Sequence, residues 1–168
     1  MIIIALGANL PSRYGSPYDT LQAAKLAMQD RGIHIVSSSN TWLTAPVPVS
    51  DQPWYHNEVV IVSTTLSPYQ LLETLQEIEN DFGRVRTVRN APRLLDLDLI
   101  AYGNEIVDKP ALIVPHPRMH KRAFVLLPLK EVAGFWEHPV LRVTLDDLIA
   151  NLPDDQQAVP MPYPVAAA

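Results

Sequence analysis

The first hundred residues alternate apolar runs with polar segments rich in glycine and proline, and this pattern predicts four strands and two helices. The predicted strands are the apolar runs Met1–Leu6, Ile33–Thr44, Asn57–Thr65 and Leu94–Tyr102. Each helix begins at a serine that can cap it, Ser16 or Ser67, followed by a proline, which suits a first turn. The second helix carries one apolar stripe at helical spacing, formed by Leu71, Leu75, Ile78 and Phe82.

The order strand, helix, strand, strand, helix, strand predicts an α+β fold. It is the ferredoxin-like βαββαβ arrangement, in which an antiparallel sheet carries helices on one face. Beyond it, Gly103-Asn104 suits a two-residue hairpin turn that leads into Glu105–Val107 as an added hairpin. The fold alone does not define a function, because this arrangement hosts many.

The C-terminal part predicts two further helices and then an extension. Phe124–Val132 has a helical pattern, in which Pro128 is tolerable only near the first turn. Thr144 caps a short helix that runs through Ala150. We therefore expect a single domain over residues 1–152 and a Pro- and Ala-rich, poorly ordered tail over residues 153–168.

Composition narrows the function classes. The chain has 168 residues, no cysteine and a formal net charge of −5. Without cysteine it forms no disulfide, zinc–thiolate site or iron–sulfur cluster, which is consistent with a reducing, cytoplasmic location. The negative charge argues against a nucleic-acid partner, and no apolar run approaches the ~20 residues of a membrane span. We expect a monomer that acts on small molecules.

Positive charge is concentrated in one segment of this acidic chain. Between Arg84 and Arg122 eight bases and four acids give a local net charge of +4, while the rest of the chain carries −9. An ordinary solvated surface is one interpretation. The sharper one is a site for a phosphate-bearing anion, because guanidinium groups bind phosphate through paired hydrogen bonds.

Two aspartates alternate with three leucines in the fourth predicted strand, as Leu95-Asp96-Leu97-Asp98-Leu99. Because strand side chains alternate between faces, the leucines point into the core and both carboxylates point away from it, about 6.5–7 Å apart. Carboxylates at this separation can hold Mg²⁺, although a plain exposed strand face has the same pattern. Four preceding arginines favour a phosphoryl-transfer site: Arg84, Arg86, Arg89 and Arg93.

Aromatic and amide side chains open the third predicted strand at Trp54-Tyr55-His56-Asn57. An aromatic ring can stack on a flat heterocycle while an amide pairs with its edge, and Phe124 offers a second ring. The alternative is a hydrophobic strand start with an asparagine that caps a turn. The chain has no G-x-x-x-x-G-K-[ST] or G-x-G-x-x-G motif, so a nucleotide would be held by side chains and metal.

These motifs resemble the 6-hydroxymethyl-7,8-dihydropterin pyrophosphokinase family of folate biosynthesis. They keep the family's order from Ala5 to about Val132. The matching segments are Leu6-Gly7-Ala8-Asn9-Leu10, Thr44 with Pro46, Gln52-Pro53 with Tyr55 and Asn57, Gly83-Arg84-Val85-Arg86, Pro92-Arg93-Leu94-Leu95-Asp96-Leu97-Asp98, and Val114-Pro115-His116 with Arg122 and Phe124. The resemblance implies transfer of the terminal two phosphates of ATP, as a unit, to the hydroxymethyl oxygen of a reduced pterin, with release of AMP.

The resemblance also implies a role for each matching residue. Asp96 and Asp98 would hold two Mg²⁺ ions and would form the catalytic set with Arg84 and Arg93. The residues implied to contact ATP are Gln76, Glu79, Arg84, Arg93, Ile100, His116 and Arg122. Those implied to contact the pterin are Gly7, Thr44, Ala45, Pro46, Tyr55, Asn57, Asp96 and Phe124.

Three other classes share part of this pattern. An RNA-recognition domain has the same element order, but it needs aromatic residues in mid-sheet and a basic face, whereas this third strand centres on Val59-Val60-Ile61-Val62. A Mg²⁺-dependent phosphohydrolase could use the same aspartates but needs no heterocycle pocket. A ligand-binding module without activity would not need Asp96, Asp98 and Arg93 together.

Overall fold

The computed structural model describes residues 1–83 and 94–162. Its strands are β1 (Ile2–Ala8), β2 (His34–Ser38), β3 (Trp42–Thr44), β4 (Tyr55–Ser63), β5 (Asp96–Tyr102), β6 (Val107–Lys109), β7 (Leu112–Val114) and β8 (Ala158–Pro160). Its α-helices are α1 (Pro17–Asp30), α2 (Pro68–Asp81), α3 (Ala123–Ala133) and α4 (Leu145–Ala150), and a 3₁₀ turn at Met119–Lys121 precedes α3. Within the described ranges, no helix is long and apolar enough to cross a membrane.

Both predicted caps of the N-terminal helices are confirmed. The Ser16 hydroxyl accepts a hydrogen bond from the Asp19 amide, and the Asp19 carboxylate accepts one from the Ser16 amide. Ser67 and Gln70 repeat this reciprocal pair at the start of α2. Because a helix start leaves its first amides unpaired, these bonds determine where each helix begins.

The main sheet is antiparallel, with strand order β5-β1-β4-β3-β8, and β2 pairs with the other half of β4. This confirms the predicted α+β class. The prediction of one strand over Ile33–Thr44 is wrong, because the chain leaves the ladder between β2 and β3. There the Ser39 hydroxyl accepts from the Val59 amide, and the Thr41 hydroxyl donates to the Glu58 carboxylate. The Ser39 amide still donates to the Val59 carbonyl at 2.9 Å, so one backbone bond and two side-chain bonds hold this irregular segment to β4.

The sheet has an apolar core on each face. Leu21, Leu75 and Leu97 belong to the core beneath α1 and α2, whereas Ile3 and Leu126 belong to the core beneath α3 and α4. The C-terminal helices therefore cover the face that the βαββαβ arrangement leaves open. Pro128 is buried in the second turn of α3, beyond the first turn to which the prediction confines it. Proline has no N–H, so the helix lacks one backbone hydrogen bond at this position. The ring itself is buried.

The predicted hairpin at Gly103-Asn104 has the wrong partner strands. β6 pairs with β7 in a separate two-stranded sheet, and β5 pairs with β1. Gly103 does turn the chain, with a φ of 58°, and its amide donates to the Met1 carbonyl. The added hairpin is therefore formed by β6 and β7, and its turn lies between Lys109 and Leu112 and not at Gly103-Asn104.

The segment after α4 contributes a strand that the sequence pattern does not predict. Ala158–Pro160, as β8, pairs antiparallel with β3 at the edge of the main sheet. Pro160 can occupy this position because an edge strand tolerates a residue without an amide donor. The described part of the predicted tail is thus tied to the sheet. Residues 163–168 lie outside the described residues, and the division at residue 152 stays a prediction.

Candidate active site

A cleft of about 200 Å³ lies on the sheet face that α3 and α4 cover, beside the start of α3. The strand register builds its floor, because Gly7 of β1 lies opposite Asn57 of β4 on one side and opposite Asp96 of β5 on the other. Arg122 and Phe124, at the start of α3, form one wall. Three adjacent strands and one helix start therefore direct their side chains into the same space.

The aspartates lie as the alternating pattern predicts. Leu95, Leu97 and Leu99 are buried in the core beneath α1 and α2. Asp96 and Asp98 are half-buried and line the cleft on the other face. The strand geometry thus separates a fully apolar row from a row that can bind a cation.

Most residues that the resemblance assigns to the pterin lie together in this cleft. They are Gly7, Thr44, Ala45, Tyr55, Asn57, Asp96 and Phe124. Pro46 is buried but does not line the cleft, whereas its exposed neighbour Val47 does. Ala5 and Leu6 also line it without having been predicted. The alternating pattern could have identified Ala5, which lies two residues before Gly7 on the same strand face.

The Asn57 side chain lies on the floor of the cleft, close to Gly7 of the neighbouring strand. Its Nδ2 donates to the Thr44 hydroxyl at 2.5 Å, and its side chain is buried. A Cβ atom at position 7 would lie 2.8 Å from the Asn57 Oδ1. A glycine is therefore needed at position 7 to leave room for the amide that faces the cleft.

Arg122 faces the aspartates across the cleft. Burial lowers the pKa of its guanidinium, and the nearby Asp98 and Asp96 carboxylates oppose that effect. The guanidinium carbon lies 5.3 Å from the centre of the Phe124 ring, within the range of a cation–π contact. Burial, followed by the Asp96 charge, raises the pKa of the Tyr55 hydroxyl, so this phenol stays protonated. The cleft thus joins a cation, two carboxylates and two aromatic rings.

A second cleft, of about 290 Å³, opens on the outer side of β5. Gln76 of α2 and His116, both implied to contact ATP, line it together with Asp98. The His116 Nδ1 accepts a hydrogen bond from the Arg118 amide at 3.1 Å. Burial, and then the charges of Arg122 and Arg118, lower the pKa of His116 to about 4. At neutral pH His116 is therefore uncharged, with its proton on Nε2, which can donate to an oxygen ligand.

Two further residues implied to contact ATP, Glu79 and Ile100, do not line either cleft. Glu79 of α2 is buried, and its Oε2 accepts a hydrogen bond from the Leu97 amide at 3.0 Å. Leu97 stands between the two aspartates, so Glu79 supports the strand that carries them. The Ile100 side chain is buried in the core beneath α3 and α4, and its carbonyl accepts from the His116 amide at 2.8 Å.

Four arginines lie between α2 and β5 in the sequence. Arg84 and Arg93, implied to be catalytic, lie outside the described residues, as do Arg86 and Arg89. Of the cations that the resemblance implies, Arg122 is the one in the described ranges.

The donor set suits Mg²⁺. In the described part of the chain, no three His, Asp or Glu side chains converge as a ready-made metal cage. Mg²⁺ rarely needs such a cage, because it binds through one or two carboxylates and takes its remaining ligands from water and substrate phosphates. Asp96 and Asp98, side by side on a half-buried strand face, fit that requirement.

Together, the antiparallel sheet, the carboxylate pair and the ring-lined cleft have the features of a class of protein, the group-transfer enzymes that act on a phosphate compound and a flat heterocycle. A family model described as 7,8-dihydro-6-hydroxymethylpterin-pyrophosphokinase (HPPK) matches residues 3–134. The chain belongs to this family, whose members are diphosphokinases. The sequence-based family assignment is thereby confirmed.

Bacterial relatives match most of the chain. The 2-amino-4-hydroxy-6-hydroxymethyldihydropteridine pyrophosphokinase of Haemophilus influenzae is 46% identical over 132 residues, which cover 78% of this chain and 80% of that protein. The Pseudomonas aeruginosa protein of the same name is 39% identical over 157 residues, covering 90% and 91%. Folic acid synthesis protein fol1 of Pneumocystis carinii is 35% identical over 162 residues, but the chain spans only 21% of its length.

Solved structures support the fold alone. The wild-type HPPK-DHPS of Plasmodium falciparum, crystallised with STZ-DHP, superposes with a TM-score of 0.68 at 13% identity. The match covers 89% of this chain and 42% of that one. At this identity the superposition confirms the α+β architecture and carries no residue roles.

Proposed function

We propose that the chain transfers diphosphate from ATP to the hydroxymethyl group of 6-hydroxymethyl-7,8-dihydropterin, giving the pterin diphosphate and AMP. The observation that carries the proposal is that Asp98 lines both clefts. One cleft has the rings and the amide that suit a heterocycle, and the other has His116 and Gln76. An acceptor hydroxyl in the first cleft and a phosphate chain in the second would therefore both reach the Asp98 carboxylate.

The first cleft has the chemistry to hold the pterin. The buried Asn57 amide would pair with the edge of the ring, and Tyr55 and Phe124 would contact its faces. Thr44 orients the amide through its hydrogen bond, and Gly7 leaves space for it. Ala45 and Val47, which line the cleft, would complete the wall.

The second cleft would hold ATP with its β-phosphate directed at the aspartates. His116 could donate from Nε2, and Arg122 would neutralise phosphate charge beside Phe124. Asp96 and Asp98 would hold two Mg²⁺ ions, which would offset the negative charge of the phosphates when bound. We include Arg84 and Arg93, which lie outside the described residues, among the phosphate-binding groups on the resemblance alone.

In the proposed reaction the hydroxymethyl oxygen attacks the β-phosphorus and releases its proton to solvent, while the bond from that phosphorus to the bridging α,β-oxygen breaks and AMP leaves. The protein would contribute chiefly by positioning, because holding two reactants in line can account for about 7–11 kcal/mol of a barrier. The pterin and the carboxylates would share one sheet face, and the phosphates would reach Asp98 from the outer side of β5, so the attacking oxygen would approach the phosphorus from one side.

Incubation with ATP, Mg²⁺ and the pterin alcohol tests the proposal. We expect AMP and pterin diphosphate in equal amounts, measured by chromatography with ultraviolet detection. Phosphate release that does not depend on the pterin would contradict the transfer and favour a hydrolase. No AMP formation at all would point to a binding module.

We further propose that the chain acts as a cytoplasmic monomer on these two small molecules and not on nucleic acid. The formal net charge of −5 supports the last point. Light scattering after size-exclusion chromatography tests the monomer, because a dimer would elute with twice the mass of 18.7 kDa.

A further inference from the structure

A segment that follows α4 returns to the first cleft. We call residues 156–161 the C-terminal strap; they lie beyond the residues 3–134 that match the family model. Within the strap, β8 pairs with β3, and two further bonds extend this pairing. The Ala45 amide donates to the Gln157 carbonyl at 3.0 Å, and the Met161 amide donates to the Thr41 carbonyl at 2.8 Å. The strap thus holds the cleft wall that contains Ala45.

Gln156 connects the strap to the opposite wall. Its Nε2 donates to the Lys121 carbonyl at 2.7 Å, and its Oε1 accepts from the Ala123 amide at 2.8 Å. These two backbone groups flank Arg122. A single side-chain amide therefore fixes the chain on both sides of the residue whose guanidinium faces Asp96 and Asp98.

The bond to Ala123 also supplies what the start of α3 lacks. Ser, Thr, Asp or Asn at an N-cap accepts a hydrogen bond from an amide of the first turn, but Arg122, at this position, makes no such side-chain bond. Gln156 accepts one of those amides instead, that of Ala123, from 33 positions further along the chain. Arg122 can therefore direct its guanidinium into the cleft, over the Phe124 ring, while the helix start remains capped.

We propose that Gln156 is a positioning residue for the transfer reaction, because it sets the direction in which Arg122 enters the cleft. What Arg122 binds there rests on the proposed function, whereas the clamp itself rests on the two hydrogen bonds. A displacement of about 1 Å at a substrate-binding group can cost about 100-fold in rate. Loss of the clamp should therefore lower kcat/KM even at a temperature where the variant is folded.

The test compares Gln156→Met with Gln157→Met. The first keeps the length of the side chain and removes both hydrogen bonds; the second alters an exposed neighbour that joins the strap through its carbonyl. With ATP, Mg²⁺ and the pterin, we expect kcat/KM to fall about tenfold or more in Gln156→Met and to stay at the wild-type value in Gln157→Met. Gln156→Glu keeps the acceptor for Ala123 and should retain intermediate activity.

Equal kcat/KM in wild type and Gln156→Met would overturn the proposal. So would a variant that has a lower Tm but wild-type kcat/KM at a temperature where it is folded, because Gln156 would then be structural only.

Amide hydrogen exchange measured by NMR provides a readout that needs no activity. The Ala123 amide should exchange about tenfold faster or more in Gln156→Met, because it loses its acceptor, and should be unchanged in Gln157→Met. Unchanged exchange in Gln156→Met would refute the clamp. If the wild-type protein forms no AMP with the pterin, the proposed function fails, and this exchange rate still decides whether the clamp exists.

Discussion

Gly7→Ala tests whether the Asn57 amide forms the heterocycle-binding floor. The new Cβ would lie 2.8 Å from the Asn57 Oδ1 and 3.9 Å from its Cγ. Since carbon and oxygen rarely approach so closely without strain, the amide must move. It cannot move freely, because it donates to Thr44 at 2.5 Å and only 6% of Asn57 is exposed. The substitution therefore either breaks this bond or crowds the strand.

Two costs follow from that geometry. Crowding a packed site and losing one buried hydrogen bond should each lower the free energy of unfolding by about 1–3 kcal/mol. An amide displaced from the cleft floor leaves the edge of the heterocycle unpaired, at about 1–3 kcal/mol of binding. Since about 1.4 kcal/mol is tenfold in affinity, we expect the KM for the pterin to rise about 5- to 150-fold. The KM for ATP should change much less.

Steady-state kinetics with each substrate varied in turn measures this difference. Gly103→Ala is a matched control, because its φ of 58° strains an alanine while no atom lies within 4 Å of the new Cβ. It should lose about 1–2 kcal/mol of stability without changing either KM. An unchanged KM for the pterin in Gly7→Ala, or an equal increase in Gly103→Ala, would refute the assignment of Asn57 to the pterin edge.

Three further predictions test other parts of the molecule. Asp98→Asn should abolish AMP formation while thermal unfolding stays near wild type, and a large fall in Tm would show that the carboxylate is structural. Burial and two neighbouring guanidinium groups lower the pKa of His116 from 6.5 to about 4. The stability that depends on neutral His116 is therefore present above about pH 6.5 and is lost as the pH falls toward 4, so His116→Gln should lose less Tm than wild type between pH 7 and pH 5. Lys25→Met removes the partner that lies 2.7 Å from the buried Glu58 and should cost about 3 kcal/mol in chemical denaturation, whereas Lys25→Met with Glu58→Gln should recover part of it.

Local patterns could predict the elements that form the floor of the cleft. The period of two in Leu95–Leu99 separates the aspartates from the leucines before any tertiary contact is known. The two Ser-Pro starts determine where α1 and α2 begin. In each case the deciding interaction lies within a few residues, so a short stretch of sequence contains it.

Elements that depend on distant partners could not be predicted in this way. The predicted strand Ile33–Thr44 breaks because Ser39 and Thr41 bond to β4, about 20 residues away. The helical spacing around Glu79 does not show that its carboxylate holds the Leu97 amide. Pro128 is buried within α3, whose residues Leu126 and Leu129 belong to the second core, and the local pattern does not show this tertiary packing.

The start of α3 shows how such a distant partner can still leave a trace in the sequence. Arg122 is a poor N-cap, so the first amides of a helix that begins there need an acceptor from water or from another part of the chain. Ala123 is buried, so at this helix start the weak local capping signal indicates a long-range bond. Here Gln156 supplies that bond from a segment with little periodicity of its own. The Arg122 side chain lines the cleft and does not cap the helix. The N-cap that lacks its usual side-chain bond is therefore a residue that the proposed reaction uses.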